Sequence, residues 1–496
     1  MILKSVLLAQ LSIGLVLALA VEVHAADRSP NIVFIFADDQ AYDTLGTDGD
    51  PLVETPHLDS LVRRGTQFTH CYNMGSWTGA VCVASRTMLI TGRTLWRARA
   101  ADTQLRALRR GKLKPSQSTS PPLWPQRMRR LGYRTYFTGK WHVQARTMDL
   151  FDHVKHERPG MPSDTRKPPF HEEGYHRPLE GQPDPWSPFD RKFGGFWEGG
   201  RHWSEVLADD AVAFLKDAAR RAHAQHDKAK PFFMYLSFNA PHDPRQSPKE
   251  FIDRYPLERI KLPEPFYARH PHDTAGLTPT RRDESLAPYP RTPYAVKVHR
   301  REYYALISHM DRQIGRILDA LEQQKLKRDT WIIFTADHGL SCGHHGLMGK
   351  QNMFDHSVRV PFVIVGPGVR PQARIEEPIY VQDLMATCLD LAGDSRREGV
   401  EFQSLLPLLR GGKSRHTSIY GAFMDTQRMV RQDGWKLILY PELDVQLLFN
   451  LNDDPQERHN VASEPQYAVR KRSLLAELHR WQQALDDKLE INPAAP

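Results

Sequence analysis

Two short acidic clusters in this chain are candidates for holding a metal ion. Asp38 and Asp39 follow one apolar run, and Asp337 and His338 follow another. Carboxylates that lie close together repel one another unless a cation neutralises them, and an oxygen-rich ligand set favours Ca²⁺ or Mg²⁺. His338 would add a nitrogen ligand and shift that preference toward other metals. Each pair taken alone is equally typical of a turn or a helix cap, so the metal site depends on the two clusters meeting.

A second chemical feature is the small number of cysteines. The chain has 496 residues and only four cysteines, at positions 71, 82, 342 and 388. An exported protein held together by disulfides carries a dense, even set, which this is not. Cys388 lies in an apolar helical pattern and is predicted to belong to the core. Cys82 needs an explanation of its own, either as a buried thiol at the start of a helix or as a reactive group.

The elements that would position these groups alternate between strands and helices. Five near-continuous apolar runs are typical of strands buried on both faces of a mostly parallel sheet. They cover residues 32–36, 133–137, 232–238, 331–334 and 362–365. The alternation predicts an α/β fold with a large, mostly parallel sheet sandwiched by helices. Ligands bind beyond the carboxyl ends of such strands, so both acidic clusters are expected at one edge of the sheet.

Two helices and two insertions are marked in the sequence. Thr55 followed by Pro56 predicts an N-cap and the first residue of a helix. Residues 300–324 carry apolar side chains, Tyr303 among them, at spacings of three and four, which predicts a helix whose apolar stripe belongs to the core. Residues 151–200 and 255–295 are rich in proline and are predicted to be surface insertions that wall the active site.

The carboxyl-terminal part has a different character. An alternating pattern over residues 428–440 surrounds Asp433-Gly434, which predicts a β-hairpin. A polar loop and a helix over residues 467–489 follow. We therefore predict a signal peptide over residues 1–25, a catalytic α/β domain over residues 26–410, and a smaller α+β subdomain over residues 411–496.

The amino terminus has the layout of a secretory signal peptide. Lys4 precedes an apolar run over residues 6–20, and Val23-His24-Ala25 offers small residues for cleavage. An uncleaved membrane anchor would need a longer uninterrupted span. The protein is therefore predicted to be exported, to the periplasm or outside the cell, with no stable membrane insertion after cleavage. Its 67 Lys and Arg exceed its 59 Asp and Glu, giving a net charge of +8 that suits a polyanionic partner.

The segment that explains Cys82 is CVASRTMLITGR, residues 82–93. It resembles the signature of the type I sulfatases of the alkaline-phosphatase superfamily, in which Cys-x-Pro-Ser-Arg precedes a short apolar run and Thr-Gly. In that family a maturation enzyme reads the signature and oxidises the cysteine to formylglycine. The departure here is Ala84, where the family motif has proline, and it bears on how efficiently the cysteine is modified.

Further segments match the same family in order along the chain, each at a predicted strand end or in the loop after it. They are Gly139-Lys140-Trp141-His142, Ala240-Pro241-His242-Asp243-Pro244 and Gly346-Leu347-Met348-Gly349-Lys350. The resemblance spans residues 31–457 and implies the alkaline-phosphatase-like fold. His344 and His345 look like a metal pair, but adjacent side chains diverge, so we discount them.

The resemblance implies a role for each matching residue. It places the metal on Asp38, Asp39, Asp337, His338 and formylglycine 82. It assigns the reaction to Cys82, Arg86, Lys140, His142, His242 and Lys350. One hydroxyl of the formylglycine hydrate attacks sulfur and expels the alcohol, and deprotonation of the other releases sulfate. Arg86 orients the hydrate, His142 accepts that proton, His242 protonates the leaving oxygen, and Lys140 and Lys350 bind the sulfate oxygens.

The implied cofactors are one Ca²⁺, with Mg²⁺ as the alternative, and the formylglycine made from Cys82. The implied partners are a sulfated carbohydrate substrate and the formylglycine-generating maturation enzyme, with no nucleic acid. A carbohydrate is favoured by the predicted export, by the basic charge, and by Trp186, Trp197 and Trp203, because indole rings stack on sugars.

Two alternatives stay open on the sequence alone. One is a phosphate ester or phosphonate hydrolase of the same superfamily, which can use the same nucleophile. The other is a non-catalytic protein that binds sulfated glycans through the basic stretch over residues 93–134, with Ala84 preventing maturation.

Overall fold

The computed structural model describes residues 29–47, 49–225, 230–272 and 282–491, so the predicted signal peptide lies outside the described residues. The strands are β1 (Asn31–Asp38), β2 (Thr66–Phe68), β3 (Cys71–Tyr72), β4 (Gly75–Ser76), β5 (Arg134–Lys140), β6 (His153–Arg158), β7 (Trp197–Glu198), β8 (Arg201–His202), β9 (Phe232–Pro241), β10 (Thr330–Ala336), β11 (Arg359–Val360), β12 (Phe362–Val365), β13 (Ala373–Ile375), β14 (Ile379–Tyr380), β15 (Ile419–Phe423), β16 (Gln427–Gln432), β17 (Trp435–Tyr440) and β18 (Val445–Asn450). The α-helices are α1 (Pro56–Arg64), α2 (Val81–Thr91), α3 (Leu95–Arg109), α4 (Trp124–Arg130), α5 (Thr147–Leu150), α6 (Phe170–Glu173), α7 (Trp203–Gln225), α8 (Lys249–Ile252), α9 (Pro293–Gln323), α10 (Asp355–Val358), α11 (Asp383–Leu391), α12 (Leu406–Leu409) and α13 (Ala468–Leu485).

A large sheet runs through the middle of the molecule, in the order β13-β2-β12-β10-β1-β9-β5-β6. Five neighbouring strands, β10, β1, β9, β5 and β6, are parallel, and β12 pairs antiparallel with β10. The predicted α/β fold with a mostly parallel sheet is confirmed. All five predicted strands belong to this sheet.

Helices cover both faces of the sheet, which is why its strands are apolar throughout. On β5, the hydroxyl of Tyr136 donates to Asp217 of α7 at 2.9 Å, whereas Phe137 points the other way and packs on Tyr235 of β9. Tyr235 in turn contacts Trp124 of α4, with ring centroids 6.0 Å apart. Successive strand residues thus face opposite helical layers, and both layers exclude water from the strands.

Helix α2 is buried along its whole length and joins two hydrophobic cores. Leu89 and Ile90 belong to the core of the large sheet. Val81, Ala84 and Met88 belong to the core beneath a second sheet, in the order β18-β17-β16-β15-β4. Because both sides of α2 are packed, the side chains near its amino terminus are held in fixed positions.

The second sheet contains the predicted hairpin. Strands β16 and β17 pair antiparallel across Asp433 and Gly434, which both have positive φ, as a two-residue hairpin turn requires. The last strand of the sheet, β4, comes from the amino-terminal half of the chain and pairs with β15. The domain boundary near residue 410 stays a prediction.

Some elements depart from the predictions. The helix predicted from residue 300 begins at Pro293, with Thr292 as its cap, and the helix predicted to reach residue 489 ends at Leu485. The segment 151–200 is not wholly a surface insertion, because β6 within it adds a strand to the large sheet. Within the described part of the chain, no helix combines the length and hydrophobicity needed to cross a bilayer.

Candidate active site

Four parallel strands deliver polar residues to one edge of the large sheet. Asp38 is the last residue of β1 and Lys140 the last of β5, while Asp337 follows β10 and His242 follows β9. These strands are neighbours in the order β10-β1-β9-β5, so their carboxyl ends lie side by side. The two acidic clusters therefore meet, as the sequence predicted.

Asp38, Asp39 and Asp337 form a compact carboxylate cluster. Each offers an oxygen, and these oxygens all lie within 4.8 Å of one another. Asp39 has a left-handed backbone (φ 67°), and its N–H donates to Asp337 Oδ1 at 3.1 Å. Asp and Asn tolerate this conformation better than most residues do. The turn after β1 thus orients both of its carboxylates toward the end of β10.

Cys82 lies in the first turn of α2, beside this cluster. Its sulfur is 3.9 Å from Asp39 Oδ1 and accepts a contact from Lys350 Nζ at 3.2 Å. The side chain is only 2% exposed. Burial and the nearby carboxylate of Asp38 raise the pKa of the thiol, so an unmodified Cys82 stays protonated and is a poor nucleophile.

Arg86 follows Cys82 by one helical turn and shares its face of α2. Its Nε donates to Asp337 Oδ2 at 2.8 Å, and Nη1 donates to Ser237 Oγ at 2.6 Å. The guanidinium also lies over the ring of Phe36. Arg86 is fully buried and therefore fixes the position of Asp337 relative to α2.

Two buried lysines contact the other carboxylates of the cluster. Lys140 Nζ donates to Asp38 Oδ2, and Lys350 Nζ donates to Asp39 Oδ2 at 2.5 Å. With Arg86, the site holds three cations beside three carboxylates. A divalent ion would make its formal charge positive, which suits an anionic ester.

The carboxylates differ in acidity. Burial raises the pKa of Asp38 and of Asp39 to about 6, and repulsion from Asp337 adds to the effect. Burial also favours a higher pKa for Asp337, but the positive charges of Arg86, Lys140 and Lys350 outweigh burial and hold the pKa of Asp337 well below the usual range. The cluster therefore carries its full negative charge only above about pH 6.

The cluster fits a hard divalent cation. Three carboxylates that converge from separate strand ends are the donor set that Ca²⁺ or Mg²⁺ prefers. Among the described residues, the buried Asp38 Oδ1 and His338 Nε2 have no hydrogen-bond partner. His338 Nδ1 lies 3.1 Å from the carbonyl of Gly339, which places the proton on Nδ1 and leaves a lone pair on Nε2. Within the described residues, His338 lies outside the 4.8 Å group formed by the three aspartates.

His242 approaches the cluster from β9. Its Nε2 lies 3.5 Å from Asp39 Oδ2, and one of its ring nitrogens falls within 4.8 Å of both Asp38 and Cys82. The imidazole is therefore near both the carboxylates and the thiol. The contacts of its other nitrogen, with Asp243, are described below.

His142 is oriented by a strained backbone and a close glycine. Its φ is 57°, and a Cβ on Gly160 would lie 2.3 Å from its Cε1, so only glycine allows the ring this position. Burial, then Lys140 and Arg86, lower the pKa of His142 to about 2, so the imidazole is neutral. Its Nδ1 is buried and forms no hydrogen bond among the described residues.

Three residues that position the site were not found from the sequence. Asn73 Nδ2 donates to the carbonyl of Asp337 at 2.9 Å, and the hydroxyl of Tyr303 donates to the carbonyl of Asp39 at 2.6 Å. Ser237 accepts from Arg86. From the sequence, Tyr303 has the spacing of a core residue and Ser237 lies within a predicted strand, and Asn73 belongs to no recognisable pattern.

The three tryptophans that favoured a sugar substrate are held by contacts within the chain. Trp186 is only 6% exposed and packs between Phe170 and Phe193. Trp197 lies beneath the guanidinium of Arg191, and Trp203 beneath that of Arg158. Trp186 therefore lies in the interior of the insertion, whereas Trp197 and Trp203 are half-buried and each packs against an arginine.

His344 and His345, which the sequence analysis discounted as a metal-binding pair, are packed among aromatic rings. Both rings are buried and pack with the ring of His356, and His345 stacks on Phe354. Within the described residues, neither belongs to a group of potential metal ligands.

The fold and the site define a class of enzyme. A mostly parallel α/β sheet that gathers carboxylates, lysines, an arginine and a buried thiol at one edge can bind a cation and an anionic ester together. A family model described as Sulfatase matches residues 30–394, and a model described as N-sulphoglucosamine sulphohydrolase, C-terminal, matches residues 343–484. The chain belongs to the sulfatase family and is a sulfatase enzyme with the alkaline-phosphatase-like fold.

Individual relatives agree with this assignment. A choline-sulfatase of Rhizobium meliloti (strain 1021) is 28% identical over 474 residues, covering 90% of this chain and 85% of the relative. An N-acetylglucosamine-6-O-sulfatase of Bacteroides thetaiotaomicron is 24% identical, covering 93% and 87%. A solved structure in complex with D-glucosamine-2-N,6-O-disulfate is 21% identical with a TM-score of 0.66, covering 93% and 99%. A solved phosphonate monoester hydrolase of Agrobacterium radiobacter shares the fold as well, with a TM-score of 0.67, 20% identity and coverage of 92% and 96%.

Proposed function

We propose that this sulfatase removes sulfate from a sulfated carbohydrate, using a formylglycine made from Cys82 and one bound divalent ion, Ca²⁺ with Mg²⁺ as the alternative. The observation that carries the proposal is the position of Cys82. Its buried sulfur lies between Lys350 and the carboxylate of Asp39, in the first turn of α2. The sulfur marks the place that a hydroxyl oxygen of the formylglycine hydrate would take.

Asp38, Asp39, Asp337 and His338 would hold the ion, together with the modified residue 82. When bound, the ion supplies Lewis-acid polarisation of the nucleophilic hydroxyl and of a sulfate oxygen. Formylglycine supplies a hydroxyl nucleophile with a second hydroxyl on the same carbon, which cysteine and serine lack. The remaining chemistry falls to the side chains of the chain itself.

Those side chains have separate tasks. Lys140 and Lys350 neutralise charge on the sulfate oxygens. Arg86 holds the carboxylate of Asp337 in a fixed position relative to α2. His242 donates a proton to the leaving alcohol oxygen. His142 accepts the proton whose removal from residue 82 releases sulfate.

A carbohydrate substrate is supported by two comparisons and one property of the sequence. One relative is an N-acetylglucosamine-6-O-sulfatase, and the carboxyl-terminal model is named for an enzyme of sulphoglucosamine. The net charge of +8 favours a polyanion. The choline-sulfatase relative makes a small alkyl sulfate the competing substrate class. Export, inferred from residues 1–25, remains a prediction.

The first experiment measures the mass of the tryptic peptide over residues 65–86, which carries Cys82, from protein expressed with a maturation enzyme. Exchange of sulfur and two hydrogens for oxygen is the expected result. The same preparation is then assayed on nitrophenyl sulfate and nitrophenyl phosphate. Faster hydrolysis of the phosphate would contradict the proposal in favour of a phosphate or phosphonate hydrolase. Salt-sensitive glycan binding by converted protein, without turnover of any sulfate ester, would favour a binding protein.

A further inference from the structure

The orientation of His242 is set by the residue that follows it. His242 Nδ1 lies 2.7 Å from the backbone carbonyl of Asp243 and 3.1 Å from Asp243 Oδ1. Both neighbours are hydrogen-bond acceptors, so Nδ1 carries a proton. The opposite nitrogen, Nε2, is thereby directed toward the carboxylate cluster, where it lies 3.5 Å from Asp39 Oδ2.

Asp243 is itself held by an arginine from the insertion over residues 255–295. Arg282 Nη2 donates to Asp243 Oδ1 at 2.9 Å, and Nη1 donates to Oδ2, so the pair is bidentate. Asp243 is 5% exposed, whereas the side chain of Arg282 is 37% exposed at the rim. The carboxylate is thus ionised and fixed by a residue that reaches it from outside the sheet.

The same arginine connects His242 to the lysine loop. Arg282 Nη2 also donates to Asp283 Oδ1 at 2.5 Å, and Asp283 Oδ2 accepts from Gln351 Nε2 at 2.9 Å. Gln351 is the neighbour of Lys350. One side chain therefore ties together the two loops that carry the proposed proton donor and one of the proposed sulfate-binding lysines.

We propose that Asp243, held by Arg282, is a positioning residue that fixes the tautomer and the ring orientation of His242 for proton transfer to the leaving oxygen. The inference rests on the proposed function. In the step, sulfur would form a bond to a hydroxyl oxygen of the modified residue 82 while its S–O bond to the alcohol breaks, and the electron pair of the broken bond stays on the alcohol oxygen. The Nε2–H bond of His242 breaks as the new O–H bond to the alcohol oxygen forms. The Nδ1 proton stays on the ring, hydrogen-bonded to Asp243.

The test compares two aryl sulfates that differ in the basicity of the leaving group. 4-Nitrophenyl sulfate releases a phenolate that needs little protonation, whereas phenyl sulfate releases a stronger base. For Asp243→Asn we expect kcat/KM to fall about 10²-fold on phenyl sulfate but only about 10-fold on 4-nitrophenyl sulfate. Arg282→Gln should also lower kcat/KM more on phenyl sulfate than on 4-nitrophenyl sulfate, but by a smaller factor. Asp243→Glu should recover part of the activity on phenyl sulfate that Asp243→Asn loses.

The ratio of the two kcat/KM values is taken within one preparation, so it does not depend on the fraction of folded or converted enzyme. Asp487→Asn is the matched control, because Asp487 forms a bidentate pair with Arg428 next to the carboxyl-terminal sheet. Its ratio should equal that of the unsubstituted protein. An equal loss on both substrates in Asp243→Asn would overturn the inference. An unsubstituted, fully converted protein without activity on either sulfate would instead overturn the proposed function.

Discussion

The ammonium nitrogen of Lys350 lies 3.2 Å from the sulfur of Cys82 and 2.5 Å from Asp39 Oδ2. The lysine belongs to the loop after β10, and the cysteine belongs to the first turn of α2. One cation therefore contacts both the proposed nucleophile and a proposed metal ligand. This position suits a group that neutralises charge on a sulfate oxygen as the S–O bond breaks.

Lys350→Ala should reduce kcat/KM on 4-nitrophenyl sulfate by about 10²- to 10³-fold, the usual effect of removing one charge-stabilising donor. The fold should persist, because Lys350 lies in a loop and a bound cation can still neutralise Asp39. Thermal unfolding and steady-state kinetics check both statements. Lys327→Ala is the control, since Lys327 is an exposed lysine paired with Glu322 near the start of β10. Turnover like that of the unsubstituted protein in Lys350→Ala would refute the role.

Calcium should bind more tightly as the pH rises through about 6. Burial, with repulsion from Asp337, raises the pKa of Asp38 and Asp39 to about 6 in the metal-free protein. Protons therefore compete with the ion below that pH. Calorimetric titration should give an affinity about 10- to 100-fold higher at pH 7.5 than at pH 5. Chelation should also lower the melting temperature at pH 7.5, and an affinity independent of pH would contradict the assigned ligands.

Ala84→Pro should increase the fraction of Cys82 converted to formylglycine. The substitution restores the family motif at a position in the first turn of α2, where proline's fixed φ is compatible with a helix. The mass of the peptide over residues 65–86 measures conversion in both proteins, expressed in parallel with the same maturation enzyme. Ala80→Pro, outside the motif, is the control. Equal conversion in Ala84→Pro and the unsubstituted protein would show that Ala84 is no obstacle.

Asp311 should make the protein less stable as the pH rises toward 7. Its carboxylate accepts from the N–H groups of His57 and Leu58 at the start of α1, and burial raises its pKa to about 7. The folded state then binds this proton more tightly than the unfolded state, whose pKa is the ordinary 3.8. The contribution is complete below the unfolded pKa and is lost as the pH rises through about 7.

Urea unfolding at several pH values checks this prediction. Asp311→Asn should flatten the pH dependence between pH 4 and 7 by up to about 1.4 kcal/mol per pH unit. Asp319→Asn is the control, because Asp319 is exposed on the same helix. Parallel pH profiles for Asp311→Asn and the unsubstituted protein would contradict the assignment.

Much of the fold follows from patterns that extend over only a few residues. The runs at residues 32–36 and 331–334 are apolar at every position, which indicates strands buried on both faces. Asp433-Gly434 is a hairpin turn because both residues accept positive φ. Strand ends in a parallel sheet share one edge, so the meeting of Asp38 with Asp337 could also be predicted.

Other features depend on residues far apart in the sequence. Thr55 is the N-cap residue of α1 and Pro56 its first residue, as predicted, but the Thr55 hydroxyl makes no capping bond to the helix backbone. That hydroxyl bonds to Gly46 and Asp59, and Asp311 of α9 accepts the free N–H groups of the first turn. Tyr303 has the spacing of a core residue, yet its hydroxyl holds the backbone of Asp39. No local pattern distinguishes these polar contacts from ordinary burial.

The sequence by itself determined the family, five strands of the large sheet and the identity of the candidate site residues, because apolar runs and a long motif are local properties. Only the tertiary structure decided how those residues are held. Asp243 and Arg282 form an ion pair although they lie 39 positions apart in the sequence, and α2 is fixed because two separate cores pack on it. Such contacts arise from the packing of distant segments, which depends on their shapes in three dimensions.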